Sequence, residues 1–175
     1  VLNQFLKLLC RIPRPWVLDP DFTIVESARA EATGYSFPSG HTQNAVGTFG
    51  GIARATKRHC LRWVCVVIFV LVSFSRMYLG VHTPLDVGVS FVIAAVLVFA
   101  IYPLMRRADR YPRLMAGLLA SMVLLSAAYL TFTLVYPFPP DIDSTNLASG
   151  VENGWKLLGA TLGIALAWWL DRQYV

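Results

Sequence analysis

Charged side chains are scarce in this sequence. Only 14% of its 175 residues are Asp, Glu, Lys or Arg, whereas 56% are hydrophobic; a soluble domain usually carries about a quarter charged residues. The sequence also lacks the alternation of polar and apolar residues that membrane β-barrel strands require. These two deficits argue against a soluble domain and a barrel, and they predict an all-helical membrane protein that satisfies its own backbone hydrogen bonds.

Cysteine pairs are missing as well. Cys10, Cys60 and Cys65 have neither the paired spacing of a zinc site nor a CxxC redox arrangement. We expect all three to be buried apolar fillers.

The sequence contains several long runs without charged residues. About twenty apolar residues cross a bilayer core, and two shorter runs become spans if some charge is allowed at their ends. The predicted membrane helices cover residues 42–53, 63–75, 87–105, 114–136 and 157–170, and the polar segment 136–150 predicts a loop. The chain opens at Val1 within an apolar run. We therefore expect residues 1–175 to form one multi-pass domain. We also expect this segment to be a piece of a longer protein, without the N-terminal helices of that protein.

The net charge of +5 is unevenly distributed. Basic residues crowd the connections at 54–62 and 106–113, which lie an even number of spans apart and therefore on one face. The positive-inside rule makes that face cytoplasmic, and this pattern argues against nucleic acid as a partner. The loop at 137–153 carries acidic residues only and fits the opposite, outer face, together with the segment 7–41 and the turn 76–86.

Cations also occur on the predicted outer face, where the topology rule does not place them: Lys7, Arg11, Arg14 and Arg76, of which Arg11 is interpreted as a headgroup-facing or loop charge. Phosphate is a natural ligand for such a cluster. The tetrapeptide PSGH, residues 38–41, precedes a helical run, so Ser39, Gly40 and His41 are predicted to open a helix. The free N–H groups and positive dipole end of that helix form an anion site, and the Ser39 hydroxyl adds a donor.

His82 lies four residues before Asp86. Pro84 suits the first position of a helix with Thr83 as its cap, which puts Asp86 in the first turn. A carboxylate there can hold one imidazole nitrogen and leave the other as a nucleophile. Taken singly, Asp86 could merely complement a helix N-terminus and Ser39 could be a cap, whereas histidines at membrane helix ends are functional candidates.

These residues form three blocks: Lys7-x6-Arg14-Pro15, then Pro38-Ser39-Gly40-His41, then Ser75-Arg76-x5-His82-x3-Asp86. The set resembles the three-part signature of the type 2 phosphatidic acid phosphatase superfamily, which includes lipid phosphatases, glucose-6-phosphatase and vanadium haloperoxidases. All eleven specified residues are present in order. The resemblance implies a membrane helical bundle with a motif-bearing core at 7–105, an active site at the outer-face helix ends, and two extra helices at 114–136 and 154–170.

The resemblance also implies roles for these residues. His82 matches the histidine that attacks phosphorus and becomes a phosphohistidine, His41 matches the one that protonates the leaving oxygen, and Asp86 orients His82. The phosphate-binding positions are Lys7, Arg14, Ser39, Gly40 and Arg76. The expected reaction is hydrolysis of a phosphate monoester or diphosphate, without metal or cofactor, on the outer face of a bacterial-type cytoplasmic membrane. A lipid is the favoured substrate: phosphatidate, phosphatidylglycerol phosphate or a prenyl diphosphate.

Two alternatives remain open from the sequence. The two extra helices keep open a sugar-phosphate phosphatase similar to glucose-6-phosphatase. A transporter or scaffold that binds anionic lipid is the alternative from another class. Lipid binding needs cations and no nucleophile, so the His82 to Asp86 spacing argues against it.

Overall fold

Helices make up the regular structure of this chain. The computed structural model describes residues 1–30 and 32–174, and these contain eight helices and no strand. The helices are α1 (Leu2–Cys10), α2 (Pro15–Leu18), α3 (Glu26–Arg29), α4 (Gly40–Ala55), α5 (His59–Tyr78), α6 (Pro84–Ala108), α7 (Pro112–Val135) and α8 (Ser144–Tyr174). Two compact units are present, one formed by Leu6–Pro103 and the other by Val1–Phe5 with Leu104–Val175.

Three helices are long and apolar enough to cross a membrane: α5, α6 and α7. On α5, the side chains of Trp63, Leu71 and Phe74 are 67%, 59% and 58% exposed. Such a continuous apolar surface is unfavourable in water and suits lipid. The prediction of an all-helical membrane protein is therefore confirmed, and the chain is an integral membrane protein.

The other two predicted spans fall in α4 and α8. Helix α4 has 16 residues, fewer than the roughly twenty that cross a bilayer core. Helix α8 has 31 residues and carries charge on both sides of its apolar stretch, at Glu152 and Lys156 and at Asp171 and Arg172. Helix α4 is therefore shorter, and helix α8 more charged, than the three helices that are long and apolar enough to cross a membrane.

In the unit Leu6–Pro103, α4, α5 and α6 lie side by side. Helix α4 packs along α5, and Phe69 of α5 contacts Phe91 of α6 with ring centroids 5.7 Å apart. At the end of α4, the Arg54 guanidinium lies 4.5 Å from the ring centroid of Phe99 and 5.0 Å from that of Tyr102, both on α6. This arrangement gathers the start of α4, the end of α5 and the start of α6 at one end of the unit.

The turn between α5 and α6 requires a glycine. Gly80 has a φ of +74°, and a Cβ at this position would lie 2.6 Å from the carbonyl oxygen of Thr23. The segment around Thr23 is held against the turn because the Val25 N–H donates to the Leu79 carbonyl at 3.2 Å. The fully buried Val81 follows. The backbone is therefore fixed immediately before His82, a candidate site residue.

In the other unit, α7 packs against α8, and the Tyr129 hydroxyl donates to the Gly150 carbonyl at 3.1 Å. Because α8 begins at Ser144, the predicted loop at 136–150 is wrong over its last seven residues. The physical reason is Asp143, whose Oδ1 accepts a hydrogen bond from the Asn146 N–H at 2.7 Å and so provides a helix N-cap.

The cysteine prediction is also partly wrong. Cys65 is buried, but Cys10 and Cys60 are exposed, and all three are free thiols. Cys10 is the last residue of α1 and Cys60 lies in the first turn of α5, so both sit at helix ends rather than in a core.

Candidate active site

Asp86 is fixed by the first turn of α6. This helix begins at Pro84 after Thr83, as predicted. The Thr83 Oγ1 accepts from the Asp86 N–H at 3.2 Å, and the Asp86 Oδ2 accepts from the Thr83 N–H at 2.8 Å, which is the reciprocal arrangement of a capping box. Both His82 and Asp86 are buried. The His82 Nδ1 lies 3.6 Å from the Asp86 Oδ2, close enough for electrostatic attraction but too far for a hydrogen bond.

Arg14 lies at the other nitrogen of the His82 ring. Its Nη1 is 3.1 Å from the His82 Nε2. Because a guanidinium can only donate, Nε2 accepts this bond, and the neutral imidazole carries its proton on Nδ1. Of the four remaining N–H donors of Arg14, three bond to backbone carbonyls, those of Val81 (2.8 Å), Gly34 (3.0 Å) and Thr33 (2.8 Å). The guanidinium plane is therefore held in one orientation.

Two further cations belong to this cluster. Lys7 of α1 is buried, and its Nζ donates to the carbonyl oxygens of Tyr35 and Ser36. Arg76, in the last turn of α5, is half-buried, and its Nε is buried without a hydrogen-bond partner among the described residues. Burial lowers the pKa of Arg14 to about 10, with Asp86 opposing this shift and the charge of Arg76 adding to it. Arg76 thus lies close enough to Arg14 for the two positive charges to repel.

His82 is neutral at physiological pH. Burial lowers its pKa to about 4; the charges of Arg14 and Lys7 act in the same direction, while Asp86 opposes them. A lowered histidine pKa means that the proton is lost at a lower pH, so the uncharged ring prevails above pH 4 or so. Nε2 is then unprotonated, and its lone pair accepts the hydrogen bond from Arg14.

The PSGH segment is tied to the start of α6. Ser39 is the N-cap of α4, with its Oγ accepting from the Thr42 N–H at 3.4 Å, and its own N–H donates to the Asp86 carbonyl at 3.3 Å. Gly40 and His41 occupy the first turn of α4, as predicted. Ser39 is fully buried, Gly40 is half-buried and His41 is exposed. The Ser39 hydroxyl thus has a capping bond, and its contact with phosphate remains a prediction.

Ser36 is the site residue that the sequence did not reveal. Its Oγ lies 2.6 Å from the Asp86 Oδ2 and 3.4 Å from the His82 Nδ1. Asp86 and His82 are 50 and 46 positions away along the chain. No spacing in the sequence identifies a serine two residues before PSGH as a site residue. Within residues 1–30 and 32–174, no group of three or more His, Cys, Asp or Glu side chains is placed to hold a metal ion.

The buried Lys7 gives a testable dependence on pH. Burial lowers its pKa to about 7, with Arg14 adding to the shift and Asp86 opposing it. The Lys7 side chain is therefore fully protonated well below pH 7 and loses its positive charge as the pH rises above 7. Phosphate binding should consequently weaken roughly tenfold between pH 6 and pH 8. Inhibition constants of inorganic phosphate should show this loss in the wild type and not in Lys7→Arg, whose guanidinium stays charged. Comparing the two proteins at each pH cancels the ionisation of phosphate itself, and parallel curves would contradict the assignment.

Comparison with known proteins identifies relatives of this chain. A family model described as PAP2 superfamily matches residues 1–110. Undecaprenyl-diphosphatase BcrC of Bacillus subtilis (strain 168) is 34% identical over 102 residues, which cover 58% of this chain and 50% of the relative. Phosphatidylglycerophosphatase B of the same organism is 32% identical over 106 residues, covering 54% and 50%.

An undecaprenyl-diphosphatase of Sulfolobus acidocaldarius is 37% identical over 89 residues, covering 50% of this chain and 40% of the relative. The chain thus spans half the length of the two Bacillus relatives and less of the third. No solved structure matches it.

Proposed function

Because the chain belongs to the PAP2 superfamily, the family of type 2 phosphatidic acid phosphatases that its motifs resemble, we propose that it is a membrane phosphatase acting on a lipid phosphate monoester or diphosphate. One observation carries the proposal: the Nε2 of the neutral His82 lies beside Arg14, and the positive charges of Arg14 and Lys7 outnumber the one carboxylate, Asp86, that acts on the ring. A phosphoryl group compensates this excess of positive charge, and its transfer depends on positioning and charge stabilisation.

The first step forms a phosphohistidine. When the phosphate binds, the Arg14 N–H that bonds to Nε2 turns to a phosphate oxygen and frees the Nε2 lone pair. That lone pair attacks phosphorus, the bond from phosphorus to the leaving oxygen breaks, and His41 donates a proton to that oxygen. The ring keeps its proton on Nδ1 and becomes cationic, which the Asp86 carboxylate stabilises. Lys7, Arg14 and Arg76 bind the non-bridging oxygens, where negative charge builds up.

The second step releases phosphate. A water molecule loses a proton to His41, now a general base, and attacks the same phosphorus from the side that the leaving group vacated. The bond between phosphorus and Nε2 breaks, and His82 regains its lone pair. For a diphosphate substrate the leaving group of the first step is the lipid monophosphate.

Two observations support a lipid substrate and an outer-face site. The relatives are named undecaprenyl-diphosphatase and phosphatidylglycerophosphatase, and both names refer to enzymes that act on lipid phosphates. Helix α5 separates Arg62 near its start from Arg76 near its end by 14 residues, which is about 21 Å at 1.5 Å per residue, and Arg58 precedes the helix. If the basic end is cytoplasmic, the catalytic end lies at the outer headgroup level, where a lipid enters from the bilayer.

A substrate panel tests this proposal. The full-length protein in detergent would be assayed for phosphate release from undecaprenyl diphosphate, phosphatidylglycerol phosphate, phosphatidate and glucose 6-phosphate. We expect kcat/KM to be highest for one of the three lipids. Faster turnover of glucose 6-phosphate would favour the sugar-phosphate alternative. Absence of turnover together with absence of vanadate inhibition would favour an anionic-lipid-binding protein, since vanadate mimics the phosphoryl transition state.

The proposed role of His41 predicts a dependence on the leaving group. In His41→Ala, kcat on an alkyl phosphate should fall by about 10² to 10⁴, the contribution of general acid catalysis. The loss on p-nitrophenyl phosphate should be far smaller, because that leaving group needs little protonation. Each substrate serves as the control for the other, and equal losses on both would remove His41 from the acid role.

A further inference from the structure

Ser36 lies between the two catalytic partners His82 and Asp86. It is fully buried in the segment that precedes PSGH, and its backbone N–H donates to the Ile12 carbonyl at 2.9 Å. Its neighbour Lys7 bonds to the Ser36 carbonyl at 3.5 Å. Two backbone contacts thus hold the serine in place, and its hydroxyl faces the pair of side chains that the proposed reaction uses.

The direction of each hydrogen bond follows from Arg14. Since Arg14 donates to the His82 Nε2, the ring proton resides on Nδ1. The Ser36 Oγ at 3.4 Å is within hydrogen-bond reach of Nδ1, whereas the Asp86 Oδ2 at 3.6 Å is just outside it. The short contact of 2.6 Å joins the Ser36 hydroxyl to Oδ2, and a carboxylate can only accept. The chain of bonds therefore runs from His82 Nδ1–H to Ser36 Oγ and from the Ser36 O–H to Asp86 Oδ2.

We propose that Ser36 is a positioning residue of the active site, through which the carboxylate of Asp86 orients the imidazole of His82. The inference rests on the proposed phosphatase function and adds a member to its machinery. Asp86 is already held by the Thr83 N–H at 2.8 Å, so Oδ2 is a fixed anchor. Ser36 connects that anchor to Nδ1. The ring proton is thereby held on Nδ1, and Nε2 faces the guanidinium of Arg14, where the phosphate is proposed to bind.

The inference predicts a change in kcat without a change in phosphate binding. Ser36→Ala should lower kcat by roughly 10²-fold, the loss typical of a misplaced reacting group. KM and the inhibition constant of inorganic phosphate should stay within about twofold of wild type, because the groups that bind the phosphate are intact. Ser90→Ala is the matched control: Ser90 is equally buried, and its hydroxyl donates to the Asp86 backbone carbonyl at 2.7 Å rather than to the carboxylate. We expect it to retain the kcat of wild type.

Two outcomes would overturn the proposal. A kcat of Ser36→Ala equal to that of Ser90→Ala would show that no orienting bond passes through the hydroxyl. A joint loss of kcat, phosphate affinity and thermal stability would assign Ser36 to folding alone. If Ser36→Ala does not fold, Ser36→Cys replaces it: the thiol is a weak hydrogen-bonding group, so kcat should still fall at least about tenfold with the inhibition constant unchanged, and wild-type kcat would refute the relay. A wild-type protein inactive on the whole panel would instead refute the proposed function.

Discussion

Replacing His82 with Ala is expected to reduce kcat on a lipid phosphate by about 10⁴-fold or more. No other described side chain offers a neutral nitrogen held between Arg14 and the Ser36–Asp86 pair. In the proposed mechanism no phosphohistidine can form without this nitrogen, so only the weak catalysis by the cations should remain. The direct measurement is trapping of the intermediate: wild type quenched during turnover should carry base-stable, acid-labile phosphate, and His82→Ala should carry none.

The binding of phosphate distinguishes a missing nucleophile from a damaged site. Lys7, Arg14 and Arg76 are retained in His82→Ala, and the backbone carbonyls that fix Arg14 are unchanged. The inhibition constant of inorganic phosphate should therefore stay within about threefold of wild type, because the lost interaction belongs to the transition state.

His59→Ala provides the control for this substitution. His59 opens α5, is exposed, and lies 17 residues before Arg76 on the same helix, about 25 Å along its axis. We expect it to behave as wild type. Normal turnover by His82→Ala, or an intermediate trapped on that variant, would exclude His82 as the nucleophile.

Local sequence patterns predicted the elements that depend on local physics. The uncharged run at 87–105 gave α6 because a spanning helix needs a continuous apolar stretch. The Thr83-Pro84 pair gave its start because proline suits the first helical position. Ser39 was expected at the opening of α4 and is its N-cap. Each of these predictions uses residues within one turn or one helix of each other.

Contacts between segments that are distant in the sequence could not be predicted from such local patterns. Nothing in the spacing of Arg14 and His82, which are 68 positions apart, indicates that the guanidinium reaches the ring nitrogen. The interposed hydroxyl of Ser36 depends on how the loop before α4 folds onto α6, and a buried serine has no distinctive sequence pattern. The start of α8 was missed for a different reason: Asp143 followed by Ser144 and Thr145 is typical both of turns and of helix N-caps.

Arg14 should be far less tolerant of a conservative replacement than its charge suggests. Arg14→Lys keeps the positive charge, but one ammonium cannot replace three nitrogens that bond to Thr33, Gly34 and Val81 while also reaching the His82 Nε2. The phosphate loses a donor that is fixed beside the nucleophile. We expect kcat/KM to fall by about 10² to 10³, the cost of removing one donor that stabilises transition-state charge.

The same replacement should also lower stability, since it leaves the buried carbonyl oxygen of Val81 without its donor, at a cost of about 1–3 kcal/mol. Arg11→Lys is the matched control, because Arg11 is an exposed arginine near the end of α1, and both kcat/KM and the thermal midpoint should stay at their wild-type values. If Arg14→Lys kept its midpoint but lost kcat/KM, its role would be confined to the transition state. Full activity in Arg14→Lys would mean that a point charge suffices, and that the planar guanidinium bonded to the Nε2 of His82 plays no part in catalysis.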